Sequence, residues 1–341
     1  MQMKTVAFGE IMLRLSPPGY SRFVQASQFD IVYGGGEANV AVMLASCGLE
    51  SEFVTALPAH EIGQCAVNAL RRYGVGTGHI LRQGDRLGIY YIENGASQRA
   101  SKVIYDRAGS SIAKAAASDF DWEKILDGAG WFHFSGITPA ISDEMITAVQ
   151  QACRTAKKLG VKVSCDLNYR SKMWSVEKAR SVMQPLMESV DLLIANEEHI
   201  RTILEIDTSS LPVEDTNLTH EGCIAAAQML HERYHIPMVA LTQRRSLSAS
   251  DNRFKGMLWK DGEAAFSPQH TMHIVDRVGS GDSFSAGILN GLQKGWSVQQ
   301  TVNFAAAACC LKHSIPGDFN LCDEAEILAL AGGDGSGSVQ R

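Results

Sequence analysis

The sequence predicts an α/β fold in three layers, with a mostly parallel central sheet covered by helices on both faces and a small β-sheet lid at one edge. Three observations point to it. From about residue 110 onward, short apolar runs alternate with amphipathic helical stretches, the pattern of repeated strand-helix-strand units. Polar residues close each apolar run. Two earlier segments, about 10–33 and 87–107, read as strands without helices of their own.

Taken in order, MKTVAF opens a first strand at 5–8, and the segment 10–33 follows as the first part of the lid. YGGGEANVAVMLASCG then carries Ala38, Ala41, Val42 and Ala45 on one helical face and ends at Gly48, a glycine stop signal. LGIYYIE and SKVIYDR, within 87–107, have the polar neighbours of a partly exposed antiparallel sheet. WFHFS precedes a helical stretch at 142–159, VKVSC one at 176–187, and DLLIA one at 197–204, while MVALT follows a helix ending near His235. Ser135, Asp166, Asn168, Asn196 and Thr242 sit at the ends of these strands, where open parallel sheets bind ligands, so they are expected to line one crevice. The sequence predicts one domain over 1–330, and a flexible Gly/Ser-rich tail over 331–341.

With 341 residues and 45% hydrophobic content, the chain can bury a large core. A net charge of −6 and the lack of any Lys/Arg run offer no general attraction to nucleic acid or to an anionic membrane, so neither is expected as a partner. The N-terminus lacks the features of a signal peptide and no apolar run reaches spanning length. Eight scattered cysteines without a CxxC fit a reducing cytoplasm.

The chemistry concentrates in DRVGSGDSFSAG, residues 276–287. Phe284, Ile288, Leu289 and Leu292 recur at helical spacing, so a helix is predicted to begin near Asp282, with its free N–H groups facing the turn of Gly279, Ser280 and Gly281. Such a helix end binds anions, and glycines let a phosphate approach the backbone. Asp282 is either a helix N-cap or a base placed beside the anion to take a proton from an attacking hydroxyl. The glycine turn at Gly34 and Gly35 either admits a small polyol to the backbone or serves a tight strand-to-helix connection. Neither GxGxxG nor GxxxxGK[ST] occurs. HERYH, at 231–235, matches the zinc pattern HExxH, but it ends a helix and Pro237 leads directly into a strand, which argues against a metal cleft.

GGGEANVA, DLNYRSKMW and DRVGSGDSFSAG, in that order, resemble the signatures of the PfkB, or ribokinase-like, carbohydrate kinases, with the likeness running from about residue 4 to 330. The resemblance implies a ribokinase-like fold and ATP-dependent phosphorylation. Asp282 would be the catalytic base, the amides of Gly279, Ser280 and Gly281 an anion hole for the moving phosphoryl group, and Asp276 a support of that loop, with Mg²⁺ and a monovalent cation such as K⁺ as cofactors. The likeness is greatest to members acting on keto-deoxy sugar acids. It therefore implies 2-keto-3-deoxygluconate as substrate, phosphorylated at its 6-hydroxyl as in the Entner-Doudoroff route, with fructose or another sugar or sugar acid as the alternative. A guanidinium suits the carboxylate of such a substrate. Arg107 and Arg170 match the positions used for it, unless they pair with carboxylates of the protein; Tyr90, Tyr105, Gly34 and Gly35 also match sugar-side positions.

On the nucleotide side the resemblance points to Asn168, Asn196, Thr242, Arg244 or Arg245, Asp276, Gly317 and, on NFAAAACCL, Asn303 and Ala307, although close helix packing accounts for the last two equally well. Two departures stand out. Relatives place a magnesium-organising glutamate where this chain has His199, so either Glu198 or Glu197 supplies the charge or metal organisation is weaker than usual, and the expected glycine turn after Thr242 reads QRRSLSASDN. A sugar-binding regulator with weak turnover is the alternative from another class. Similar kinases often pair through their lids, so a homo-oligomer is expected.

Overall fold

The computed structural model describes residues 4–214, 217–335 and 337. Its central sheet has nine strands. Eight lie side by side in the order Glu263–Phe266, Asp251–Lys260, Met238–Ser246, Leu192–Asn196, Lys162–Asp166, Ala129–Ser135, Lys4–Phe8 and Ser51–Val54, and His270–His273 pairs with Asp251–Lys260. The pairings from Met238–Ser246 to Ser51–Val54 are all parallel; the rest are antiparallel.

Alternation along the strands explains the three layers, because successive side chains leave opposite faces of a pleated strand. Phe132 and Phe134 pack with Val149, Val182, Ile203 and Leu230 on one side. Trp131, Leu192, Ile194 and Ala240 pack with Val40, Phe284, Val302 and Ile327 on the other. Both faces are therefore dry, as a parallel sheet requires.

Helix boundaries follow capping chemistry. Ser142 caps Asp143–Leu159 by accepting from the Met145 N–H, and left-handed Gly160 ends it. Ser175 caps Val176–Leu186, and Asn196 caps Glu197–Leu204. The helix containing HERYH is His220–Tyr234. His235 lies beyond it with φ +58, and His231 Nδ1 faces the Ile236 carbonyl at 3.0 Å, so the two histidines do not share a face. No group of three or more His, Cys, Asp or Glu placed to hold a metal occurs among the described residues.

The lid is a separate four-stranded sheet in the order Asp30–Gly34, Met12–Ser16, Ile89–Glu93, Lys102–Asp106. It is not wholly antiparallel as the sequence suggested. Its central pair, Met12–Ser16 with Ile89–Glu93, is parallel, because the chain passes through the core between them and returns in the same direction. The stretch after Thr242 also differs from expectation. It continues as strand to Ser246 and pairs from Thr242↔Gly256 to Ser246↔Asn252, which leaves a short turn where a loop was expected.

No helix among the described residues is long and apolar enough to cross a membrane. All eight cysteines are free. Of the expected tail, Ala331 closes the helix Glu324–Ala331, and residues 336 and 338–341 lie outside the described residues.

Candidate active site

The carboxyl ends of the parallel strands open into a cleft of about 620 Å³ whose other wall is the lid. Of the five polar strand-end residues read from the sequence, Asp166, Asn168, Asn196 and Thr242 line it. Ser135 does not: its backbone N–H and hydroxyl both donate to Glu37 Oε1, at 2.9 and 2.6 Å. Thr138 donates to the same oxygen at 2.7 Å. Buried Glu37 thus clamps the strand end to the helix Gly36–Ser46.

Two helix N-termini converge on the cleft floor. Gly279 is the N-cap of Ser280–Gln293, with φ +83. An added Cβ there would meet the Asp318 carbonyl oxygen at 1.9 Å, so only glycine fits in both conformation and space. The helix begins two residues earlier than expected, which places Asp282 in its first turn and removes the N-cap reading. Asn39, on the facing helix Gly36–Ser46, donates from Nδ2 to Asp282 Oδ2 at 2.6 Å. Gly35 is required by space rather than conformation: a Cβ would lie 1.9 Å from the Glu10 carbonyl oxygen.

Burial pushes the Asp282 carboxyl up to about 6; Asn39 and Arg170 oppose the shift, while Glu37 and Asp318 add to it. Asp166, at the end of its strand, is pushed up to about 7 by burial and by the charge of Asp282, with Arg170 opposing. The cleft floor therefore holds two carboxyls poised near neutrality, the condition a general base needs.

On the lid side, Arg107, Tyr90 and Tyr105 all line the cleft, as do Gly34, Gly35 and Arg170. Arg107 pairs with buried Glu10 and lies 5.8 Å from the Tyr105 ring centroid. Arg170 is exposed at the mouth and has no ion pair among the described residues. Tyr90 is 4% exposed, and its hydroxyl donates to Asp318 at 2.6–2.7 Å, so it serves the frame as well as the wall.

The nucleotide-side residues divide. Arg244 lines the cleft and donates to Ser280 Oγ at 3.0 Å. Its neighbour Arg245 lies on the opposite face of the strand, lining a smaller cavity with Arg253 and Lys255. Asp276 stands behind the anion loop, accepting from the Val278 and Gly317 N–H groups at 3.1 and 3.0 Å and pairing with Arg14. Gly317, with φ +90, is tied to Asp276 and does not line the cleft. Asn303 does not reach the cleft either, since it accepts from Gln299 at 2.8 Å, and Ala307 is core. His199 lines the cleft, and burial aided by Arg170 pushes its imidazole down to about 4, so it is neutral. Exposed Glu198 and half-buried Glu197, whose carboxylate accepts from the Thr208 hydroxyl, do not line the cleft.

Of the residues not singled out from the sequence, Glu10, Glu37, Asn39 and Asp318 line the cleft, and Arg14 and Lys312 lie buried behind it. Glu10 and Asp318 sit in the recognisable strings FGEIML and IPGDFN, but only the fold shows what they bond.

This geometry, a doubly covered parallel sheet with a glycine-capped helix N-terminus and a β-lid facing one cleft, defines the class of the sugar kinases. The pfkB carbohydrate kinase model matches residues 2–320, and the chain belongs to that family. It is 32% identical to the 2-dehydro-3-deoxygalactonokinase of Haloferax volcanii over 98% of both chains. The crystal structure of 2-dehydro-3-deoxygluconokinase from Thermotoga maritima superposes with a TM-score of 0.93 at 50% identity, covering 97% of this chain and 100% of the other. A PfkB family carbohydrate kinase from Listeria grayi, 39% identical, gives 0.90 over 96% and 99%.

Proposed function

We propose that this enzyme transfers the γ-phosphoryl group of ATP to the 6-hydroxyl of 2-keto-3-deoxygluconate, giving the 6-phosphate and ADP. The observation that carries the proposal is the polarity of the cleft. Asp282 lies beside an anion-binding helix end on the floor, and Arg107 and Arg170 lie toward the lid and mouth, where the substrate's carboxylate would bind. The family membership and the names of the two relatives at 32% and 50% identity support it.

In this mechanism Asp282, held by Asn39, accepts the proton of the attacking hydroxyl as its oxygen bonds to the γ-phosphorus. The bond from that phosphorus to the bridging oxygen breaks, and the electron pair leaves with ADP. The amides of Gly279, Ser280 and Gly281, with Arg244 behind Ser280, stabilise the moving charge. The lid excludes water, the competing nucleophile. Magnesium, when bound, neutralises phosphate charge; Asp166, Asn168 and Asn196 are the oxygen-bearing groups lining the cleft that would face its water shell, in place of Glu198. Neutral His199 is no substitute for a carboxylate.

A second substrate, 2-keto-3-deoxygalactonate, is favoured by the Haloferax relative. A panel of both acids, fructose and ribose, assayed by coupled ADP release with the purified enzyme, tests the proposal. The acids should exceed the neutral sugars in kcat/KM by at least about a hundredfold, the scale of one lost charged contact. Equal turnover of fructose would reject the acid-specific reading, and no sugar-dependent ADP release would favour a regulator.

The lid's outer face supports assembly with a second copy of this chain. Leu15, Ile31, Tyr91 and Ile104 align across its strands, with Ile31 64% and Ile104 55% exposed. Sedimentation should find a dimer or larger, and a double Ile31→Asp, Ile104→Asp variant should be monomeric; a monomeric wild type would overturn this. The free thiols fit a reducing cytoplasm.

A further inference from the structure

Behind the anion loop lies a buried set of charges. Asp276 and Asp318 are 3% and 2% exposed, and Arg14 joins them, Nη2 to Asp276 at 2.6 Å and Nη1 to Asp318 at 2.9 Å. Lys312, the last residue of the helix Val298–Lys312, is fully buried, and its Nζ donates to the Ile315 carbonyl at 2.9 Å. Burial pulls its ammonium below the usual lysine range, while Asp276 and Asp318 pull it back. Its position suits a cation, since a helix C-terminus carries partial negative charge. His313 beside it is pushed down to about 4 by burial and contributes no charge.

The resemblance implied a monovalent cation near Asp276, but the groups present do not fit one. The oxygens that would coordinate it are already engaged by protein donors. Asp276 accepts from Arg14 and from the Val278 and Gly317 N–H groups. Asp318 accepts from Arg14 and Tyr90. The His313 carbonyl accepts from the Val275 and Asp276 N–H groups at 2.8 and 3.1 Å, and the Ile315 carbonyl accepts from Lys312. Charge agrees with this, because the carboxylates of Asp276 and Asp318 are balanced by Arg14 and Lys312. A further cation would leave buried positive charge uncompensated.

We propose that Lys312 is the built-in cation of the anion loop, bracing the 313–318 segment against residues 275–279 so that phosphoryl transfer needs no potassium or sodium. Lys312 is a positioning residue: it acts through Asp276, Asp318 and the loop they hold, and touches no substrate. The inference rests on the phosphoryl-transfer reading of the loop for its kinetic part only.

Wild-type enzyme is assayed in potassium, sodium or tetramethylammonium chloride at equal ionic strength, and its melting temperature is measured in each salt without nucleotide or sugar. The expected result is a kcat that agrees within about twofold and a single Tm across the salts, since an ion that bound only the folded state would raise Tm. Lys312→Gln should lose about tenfold or more in kcat in tetramethylammonium. Potassium or ammonium should recover part of that loss and raise the variant's Tm, which a merely structural lysine would not allow. Potassium activation of the wild type by tenfold, a potassium-specific rise in its Tm, or a folded Lys312→Gln variant with unchanged kcat in tetramethylammonium would each overturn the proposal. If Lys312→Gln does not fold, the wild-type arms decide. Absence of kinase activity on every sugar would sink the proposed function, while the melting arm still tests for a bound cation.

Discussion

Asp282→Asn removes the proposed base while keeping the size of the side chain, and the structure sets what should follow. Asp282 is held near 6 by burial, so in the wild type the acid limb of kcat/KM should bend near that pH. The base must be ionised to accept a proton, so activity falls as pH drops through 6, and at pH 5 about a tenth of the plateau remains. Because Asp166 is pushed to about 7 beside it, the limb belongs to the pair and should be broader than a single titration. The variant should lose about 10²- to 10⁴-fold in kcat, the usual worth of a positioned base, with little change in ATP affinity. Stability should move the other way. The folded carboxyl titrates above its unfolded value, so the folded state binds more protons between about pH 4 and 6, and the protein loses stability as pH rises through that window. At pH 7 the ionised group is a cost, and Asn removes it. The rise from 3.8 to about 6 caps the gain at about 3 kcal/mol, with the lost Asn39 bond reducing it. Coupled assays from pH 4.5 to 8 and calorimetric melting at pH 7 read both effects. A variant that keeps more than about a tenth of wild-type kcat would refute the base assignment.

Other outcomes follow from the same geometry. Arg107→Ala and Arg170→Ala should raise KM for sugar acids by about tenfold or more while leaving neutral sugars nearly unchanged, as steady-state kinetics will show. Arg107→Ala should also destabilise the fold, because it leaves Glu10 buried without its ion pair. Gly279→Ala should abolish most turnover and lower Tm sharply, since it forces a φ of +83 on alanine and drives a Cβ into the Asp318 carbonyl. Tyr90→Phe should cost about 1–3 kcal/mol in urea denaturation through the bond lost at Asp318. Its effect on KM should be smaller than that of Tyr105→Ala.

The sheet was legible because both-sided burial writes itself as apolar runs, and the helices between them carry their own caps, as Ser142, Ser175 and Asn196 show. The lid was legible as strands, but not in direction. A parallel pairing depends on where the intervening chain leaves and returns, and local sequence does not encode that. The strand running through Ser246 was missed because its polar residues, QRRS, lie beyond the core, and it is held by pairing with Asp251–Lys260 rather than by an apolar face.

The sequence by itself pointed to the proposed anion loop. Gly279 and Gly281 flank Ser280 ahead of a helical pattern, and that local pattern alone suggests a backbone open to a phosphate. It also determined which strand ends carry polar groups. Only the tertiary structure decided that Asp282 is not a cap, that Tyr90 is tied to Asp318, that Arg107 leans on Glu10, and that Arg14 and Lys312 neutralise the carboxylates behind the loop. Arg14 and Asp276 lie 262 residues apart, and although the resemblance marks Asp276, nothing in the sequence marks Arg14 as its partner. Burial turns them into a structural pair, and burial is a property of the whole chain once folded, because it depends on which distant segments exclude water from the same place.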